Sequence, residues 1–192
     1  MGSGLVFANR LRQRMREDLQ KFVGDGKLVL GVCNGFQIIT KLGLLPGLGG
    51  DYFTQTVSLM QNDCGHFQNY WITLRFEAAS PCVFTRGLDR LPLPIRHGEG
   101  KLFTKDKAVL AQIEAQKCVP CRYEGVNPNG SLNGIAGLCD PTGRVFGLMP
   151  HPEAYLFPEN HPQWDIQKLN GELPERGLGL KIFENAVRHM AG

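Results

Sequence analysis

The sequence lacks any run of about 18 consecutive apolar residues, so nothing in it reads as a membrane-spanning helix. It also lacks a strong charge of one sign. Lys+Arg 21 against Asp+Glu 18 leaves +3, too little to point to nucleic acid or a membrane surface as partner. Cysteine is sparse: Cys33, Cys64, Cys82, Cys118, Cys121 and Cys139 are too dilute for a disulfide scaffold. With no signal peptide visible, a reduced, cytoplasmic protein is expected. Repeats and low-complexity tracts are absent as well. The 24 glycines and 12 prolines are scattered, which excludes a collagen-like chain. What is present is 42% hydrophobic and 20% charged residues over 192 positions, enough for a sizeable core. No linker interrupts it, and one domain over residues 1–192 is expected.

The periodicity alternates between helix and strand. Leu5, Ala8, Leu11, Met15, Leu19 and Phe22 recur at steps of three and four and predict an amphipathic helix. Arg10, Arg12, Arg14 and Arg16 lie on its other face. They read as a solvated face rather than an RNA or membrane contact. After Gly24 to Gly26, the apolar run Lys27 to Val32 suits a strand buried on both faces, as in a parallel sheet. Asn34 to Leu42 reads as a helix ended by Gly43 and Pro46. Further strands are expected at Thr54–Gln61, Gln68–Phe76, Lys117–Tyr123, Gly134–Cys139 and Arg144–Met149. Residues 158–176 read as a surface loop, and Gly179–Met190 as a closing helix. This rhythm is that of an α/β fold.

Gly31-Val32-Cys33-Asn34-Gly35 falls where the buried strand meets the next helix. G-x-C-x-G at such a junction has the physics of a nucleophile elbow, a sharp turn that presents a thiol. The helix N-terminus behind it carries partial positive charge that favours thiolate. The N–H of Asn34 is placed to stabilise an oxyanion. The competing reading of Cys33 is a buried structural cysteine. A cysteine nucleophile needs a base, and the base needs an orienting group. His151 and Glu153, two apart after the strand Arg144–Met149, offer both, with Pro150 and Pro152 stiffening the loop.

Together these residues resemble the class I glutamine amidotransferases, and within that class the glutaminase subunits of phosphoribosylformylglycinamidine synthases. The resemblance is carried by Gly31 to Gln37 with Leu44 to Gly47, by Pro94 to Gly100, by Asn127 to Ser131 with Gly134 to Gly137, and by Gly147 to Glu153. It implies a flavodoxin-like three-layer α/β domain, a parallel sheet with an antiparallel addition. It implies that Cys33, His151 and Glu153 form the catalytic triad and that Asn34 supplies the oxyanion donor. Gln37, Arg96, His97, Gly98 and Glu99 would bind glutamine, the last four largely through backbone groups. No cofactor or metal is implied in this chain. ATP and Mg2+ belong to the partner, the synthase's large subunit, and a further small subunit is possible.

Three features depart from the family pattern. Cys64 and His66 stand where such subunits usually have Ser and a basic residue. Cys118 and Cys121 look like half a zinc site, but no second pair exists, so a reduced strand pair is expected. Family members usually carry a further stretch ahead of the first residue, with the first strands and a glycine-rich loop. Met1 to Gly4 resembles the tail of that loop, and the N-terminal strands are expected to be missing. Two other functions fit the motifs: a stand-alone cysteine γ-glutamyl hydrolase, and a non-catalytic subunit that only binds the synthetase.

Overall fold

The structure, a computed structural model, describes residues 2–192, with only the backbone of Gly2, Ser3 and Leu5; Met1 lies outside the described residues. Helix α1 (Gly2–Arg14) and helix α2 (Arg16–Gly24) occupy the segment expected as one helix. They are one ladder bent at Met15, since Met15 N–H still donates to Leu11 and Leu19 N–H to Met15. Gly2 to Gly4 form the first turn of α1 rather than a loop tail.

Strand β1 (Val29–Val32) leads through Cys33 into helix α3 (Asn34–Leu42), which buries Phe36, Ile39, Thr40 and Leu42. Gly43, in the left-handed region, closes α3. The Arg12 guanidinium donates to the Lys41 carbonyl at that end of α3, tying α1 to it and complementing the helix dipole.

The main sheet has six strands in the order β1-β8-β7-β6-β3-β4. Its members beyond β1 are β3 (Gln68–Phe76), β4 (Arg90–His97), β6 (Cys121–Glu124), β7 (Ile135–Cys139) and β8 (Val145–Leu148). β1 and β8 pair in parallel, and every other pairing is antiparallel. This is an α/β fold with a parallel portion and an antiparallel addition. Among the described residues no strand pairs with the outer edge of β1. A two-stranded antiparallel sheet of β2 (Val57–Gln61) and β5 (Glu99–Thr104) stands apart from it.

Strands β4 and β5 fall in a region where the sequence predicted none. Pro92 and Pro94 argue against a central strand, but β4 is an edge strand that among the described residues pairs with β3 alone, where proline is tolerated. Its alternation buries Leu91, Leu93, Ile95 and His97. Helix α4 (Lys107–Ala115) was also unanticipated; Asp106 caps it by accepting from Val109 N–H at 2.8 Å. A short helix, α5 (Trp164–Leu169), sits in the loop expected at 158–176, and α6 (Leu180–Met190) closes the chain.

The sheet is strongly curled. Edge to edge, β1 and β4 are five strand spacings apart, about 24 Å if the sheet were flat. Yet Cys33, just after β1, has its Sγ 3.7 Å from the carbonyl of Arg96 in β4. The curl makes a half-barrel whose two edges approach at one end, and the functional residues collect there.

Candidate active site

Cys33 has φ 51° and ψ −106°, in the positive-φ region. For a non-glycine residue such a conformation costs on the order of 1–3 kcal/mol and is held only by its surroundings. Two glycines show what holds it. A Cβ at Gly31 would stand 2.7 Å from the Gly35 backbone, so the helix turns back onto the strand only because position 31 has no side chain. A Cβ at Gly147 would stand 2.0 Å from the Phe36 ring, so α3 is pressed onto β8 through that ring. Gly35 itself meets nothing where its Cβ would be. Cys33 N–H donates to the Leu148 carbonyl at 2.8 Å, which ties the elbow to the strand carrying the histidine loop.

His151 follows β8. Its N–H donates to the Pro94 carbonyl at 2.9 Å, on the free edge of β4. Its Nδ1 lies 2.5 Å from Glu153 Oε1, which leaves its buried Nε2 to the Cys33 sulfur. The Cys33 sulfur as an acceptor and then the Glu153 carboxylate raise the His151 pKa to about 9, so the ring is cationic at neutral pH. Burial alone would push Glu153 up, but its bond to His151 and the charges of His151 and Arg96 hold it below the usual carboxylate range.

The end of β4 and the start of β5 meet the elbow through their backbone. Besides the Arg96 carbonyl at Cys33 Sγ, the Glu99 carbonyl accepts from Gln37 Nε2 at 2.7 Å. Gln37 therefore spans from the elbow helix to β5. Asn34 occupies the first helical position, where an N–H has no acceptor within the helix. A Cβ at Gly98 would meet Phe67 only at ordinary contact distance, 3.8 Å. The His97 ring is buried inward, beside Gly100 and Asn129.

The remaining cysteines sit elsewhere. Cys82, Cys118, Cys121 and Cys139 are buried in the core, and Cys64 is exposed. Gln68 Nε2 bridges Cys64 Sγ and His66 Nε2, each at 2.9 Å, on the surface loop. Among the described residues no group of three or more His, Cys, Asp or Glu is arranged to hold a metal ion. Nor is any described helix long and apolar enough to cross a membrane.

An aromatic cluster stands behind the histidine loop and has no signature in the sequence. Trp71 of β3 stacks edge-on against Tyr155 at 5.1 Å and against His161 at 4.9 Å between ring centroids. It clamps the chain just beyond Glu153 onto the sheet. The spacing of these residues carries no periodic signal, because the loop supplying Tyr155 and His161 is irregular.

The sequence profile of the CobB/CobQ-like glutamine amidotransferase domain matches residues 1–190. The chain belongs to that family. Among similar glutamine amidotransferases is the phosphoribosylformylglycinamidine synthase subunit PurQ of Methanococcus maripaludis strain C7, 39% identical over 98% of this chain and 75% of that protein. The corresponding PurQ of Dehalococcoides mccartyi is 41% identical, covering 98% of this chain and 73% of its own length. A solved structure, PurLQS from Thermotoga maritima, superposes with a TM-score of 0.67 at 29% identity, over 95% of this chain and 71% of the matched one.

Proposed function

We propose that this chain is the glutaminase subunit of a phosphoribosylformylglycinamidine synthase, acting in purine biosynthesis. Cys33, its thiol proton already carried by His151, attacks the side-chain amide carbon of glutamine and forms a tetrahedral intermediate, its oxyanion facing the Asn34 N–H. Cationic His151 gives its proton to the amide nitrogen, the C–N bond breaks, and ammonia leaves a glutamyl thioester. Neutral His151 then takes a proton from water, which attacks the thioester and releases glutamate. Glu153 holds the imidazole through Nδ1, fixing the tautomer and favouring the cation. Gln37 and the backbone of Arg96 to Glu99, with Gly98 allowing close approach, hold the substrate glutamine.

This chemistry needs no cofactor in the chain itself. ATP and Mg2+ act in the large synthetase subunit, which receives the ammonia. The relatives bearing the name of that synthase, and the match to PurLQS, support this partner. Six free thiols suit a reducing, cytoplasmic setting.

The observation that carries the reading is the meeting of both sheet edges at Cys33, with the buried Nε2 of His151 left to the Cys33 sulfur. The test is glutamine-dependent amidine synthesis by the complex with a synthetase subunit. Wild-type chain should support it and His151→Ala should not, while synthesis from added ammonia survives both. Equal glutaminase turnover with and without the synthetase would point instead to a stand-alone hydrolase. Full glutamine-dependent synthesis with Cys33→Ala would point to a non-catalytic subunit.

A further inference from the structure

The loop that carries His151 and Glu153 sits on a face of the sheet to which β3 contributes. Strand β3 buries Ile72, Leu74 and Phe76 on its core side. Trp71, one position off that series, points to the opposite face. In the β3–β4 ladder its partner is Pro94, so the two side chains stand side by side. The Pro94 carbonyl is the group that accepts the His151 N–H at 2.9 Å. Trp71 therefore stands beside the point where the catalytic loop is tied to the sheet.

The same ring grips the chain further along. Tyr155 and His161 meet it edge-on, with ring centroids 5.1 and 4.9 Å away, and lie 5.7 Å from each other. Tyr155 is buried and follows Glu153 by two positions. A strap closes the other side. Gly177 N–H donates to the Leu156 carbonyl at 3.0 Å, and Gly179 N–H to that of Tyr155 at 2.9 Å. A Cβ at Gly179 would stand 2.1 Å from the Pro152 oxygen, so glycine alone fits there. The loop from His151 to Tyr155 is thus held between Trp71 and this strap. Its own backbone bonds, Ala154 N–H to His151 and Tyr155 N–H to Pro152, are short turns that shape it. Its seat on the sheet comes from the Pro94 bond at one end and from Trp71 at the other.

We propose that Trp71 is a positioning residue for the reaction: by gripping Tyr155 and His161 beside its strand partner Pro94, it keeps the Glu153 carboxylate on His151 Nδ1. The inference rests on the glutaminase reading above. The indole carries no charge and acts only through Glu153. The 2.5 Å bond between Glu153 and His151 is sensitive to a small rotation of the loop, because hydrogen bonds weaken steeply with misalignment. A loosened Glu153 lets the His151 pKa fall from about 9. The other charged and titratable groups facing this pair are Cys33 from the elbow, and Arg96 and His97 from β4. A substitution at Trp71 changes none of the three. Within the cluster, burial lowers the His161 pKa and raises that of Tyr155, so both are uncharged from neutral pH up to the alkaline limb.

The experiment measures kcat and KM for glutamine-dependent synthesis against pH, in the complex of the full chain with its synthetase. Trp71→Leu should lower kcat about tenfold or more, since a misplaced catalytic group can cost up to about 10². KM should change less than about twofold, and the alkaline limb should move to lower pH. Trp71→Phe keeps an edge-on ring and should hold kcat within about threefold of the wild type, with the limb in place. Ile113→Ala, a core truncation in α4, controls for lost stability and should leave the limb unmoved. A wild-type limb in Trp71→Leu overturns the proposal. So does an equal shift in Trp71→Phe or in Ile113→Ala. If Trp71→Leu fails to assemble, His161→Leu decides: a lowered limb supports the grip and an unmoved one overturns it. His151→Ala is run in parallel. Glutamine-dependent synthesis that survives it sinks the glutaminase reading and this proposal together, whereas an unmoved limb in Trp71→Leu overturns this proposal alone.

Discussion

The two sides of the candidate site are built in opposite ways. The elbow side is local: β1, Cys33 and α3 are continuous in sequence, and Gly31 lets the helix fold back onto its own strand. The β4 side is assembled from a distance. Pro94 and Arg96 stand some sixty residues from Cys33 and offer carbonyl groups rather than side chains. Side-chain chemistry is thus concentrated where a motif can fix it, and positioning is left to backbone that any sequence with the right curl supplies. The contrast predicts that substitutions on the elbow side and its histidine loop act on chemistry or stability outright. Those on the β4 side should act on binding, and mildly.

The largest expected effect is that of Cys33→Ala. It should remove glutamine-dependent synthesis by at least 10³-fold and leave ammonia-dependent synthesis intact, read by parallel assays on the complex. A β4-side variant with an equal effect would break the contrast. His151→Ala comes next, with an expected loss on the order of 10²–10⁴ in kcat.

Glu153→Gln sharpens the account through pH. The carboxylate is one of the two groups raising the His151 pKa to about 9. A group raised above its ordinary value is cationic below that value and loses its proton as pH rises through the raised one. Glutaminase activity that needs cationic His151 should therefore fall on the alkaline side, near pH 9 in the wild type. Removing the carboxylate lowers the pKa, so the alkaline limb should move to lower pH. The loss of kcat should be smaller than for His151→Ala, by roughly 10². An unmoved limb would show that Glu153 does not act through the imidazole.

Gly147→Ala tests the clamp on the elbow. Its Cβ would overlap the Phe36 ring, and the expected loss is about 1–3 kcal/mol in denaturant unfolding. Phe36→Leu in the same chain should recover part of it, a coupling that two independent sites would not show. The smallest effect is expected from Gln37→Leu, which removes the bond to the Glu99 carbonyl. A net hydrogen bond of about 0.5–1.5 kcal/mol corresponds to a roughly two- to tenfold rise in KM, with kcat little changed.

The same division explains what could be read from the sequence. The elbow was legible because G-x-C-x-G is contiguous and its strand and helix have clear periods. His151 and Glu153 were legible because they lie two residues apart. The strand β4 was not, because Pro92 and Pro94 are incompatible with any strand but an edge, and edge position is a property of the whole sheet. The Pro94 and Arg96 carbonyls carry no residue-type signal at all. His97 stood out in the sequence as part of a glutamine-binding segment. Its inward burial follows from the alternation of a strand that the sequence did not reveal.

The most direct test of the central claim is covalent labelling of the complex with an electrophilic glutamine analogue, mapped by peptide mass spectrometry. Cys64 is the internal control, because it is a more exposed thiol than Cys33 but has no His151 beside it. The account predicts stoichiometric label on Cys33, lost in His151→Ala, with Cys64 unmodified. Label on Cys64 or on a core cysteine in place of Cys33, unaffected by His151→Ala, would contradict it.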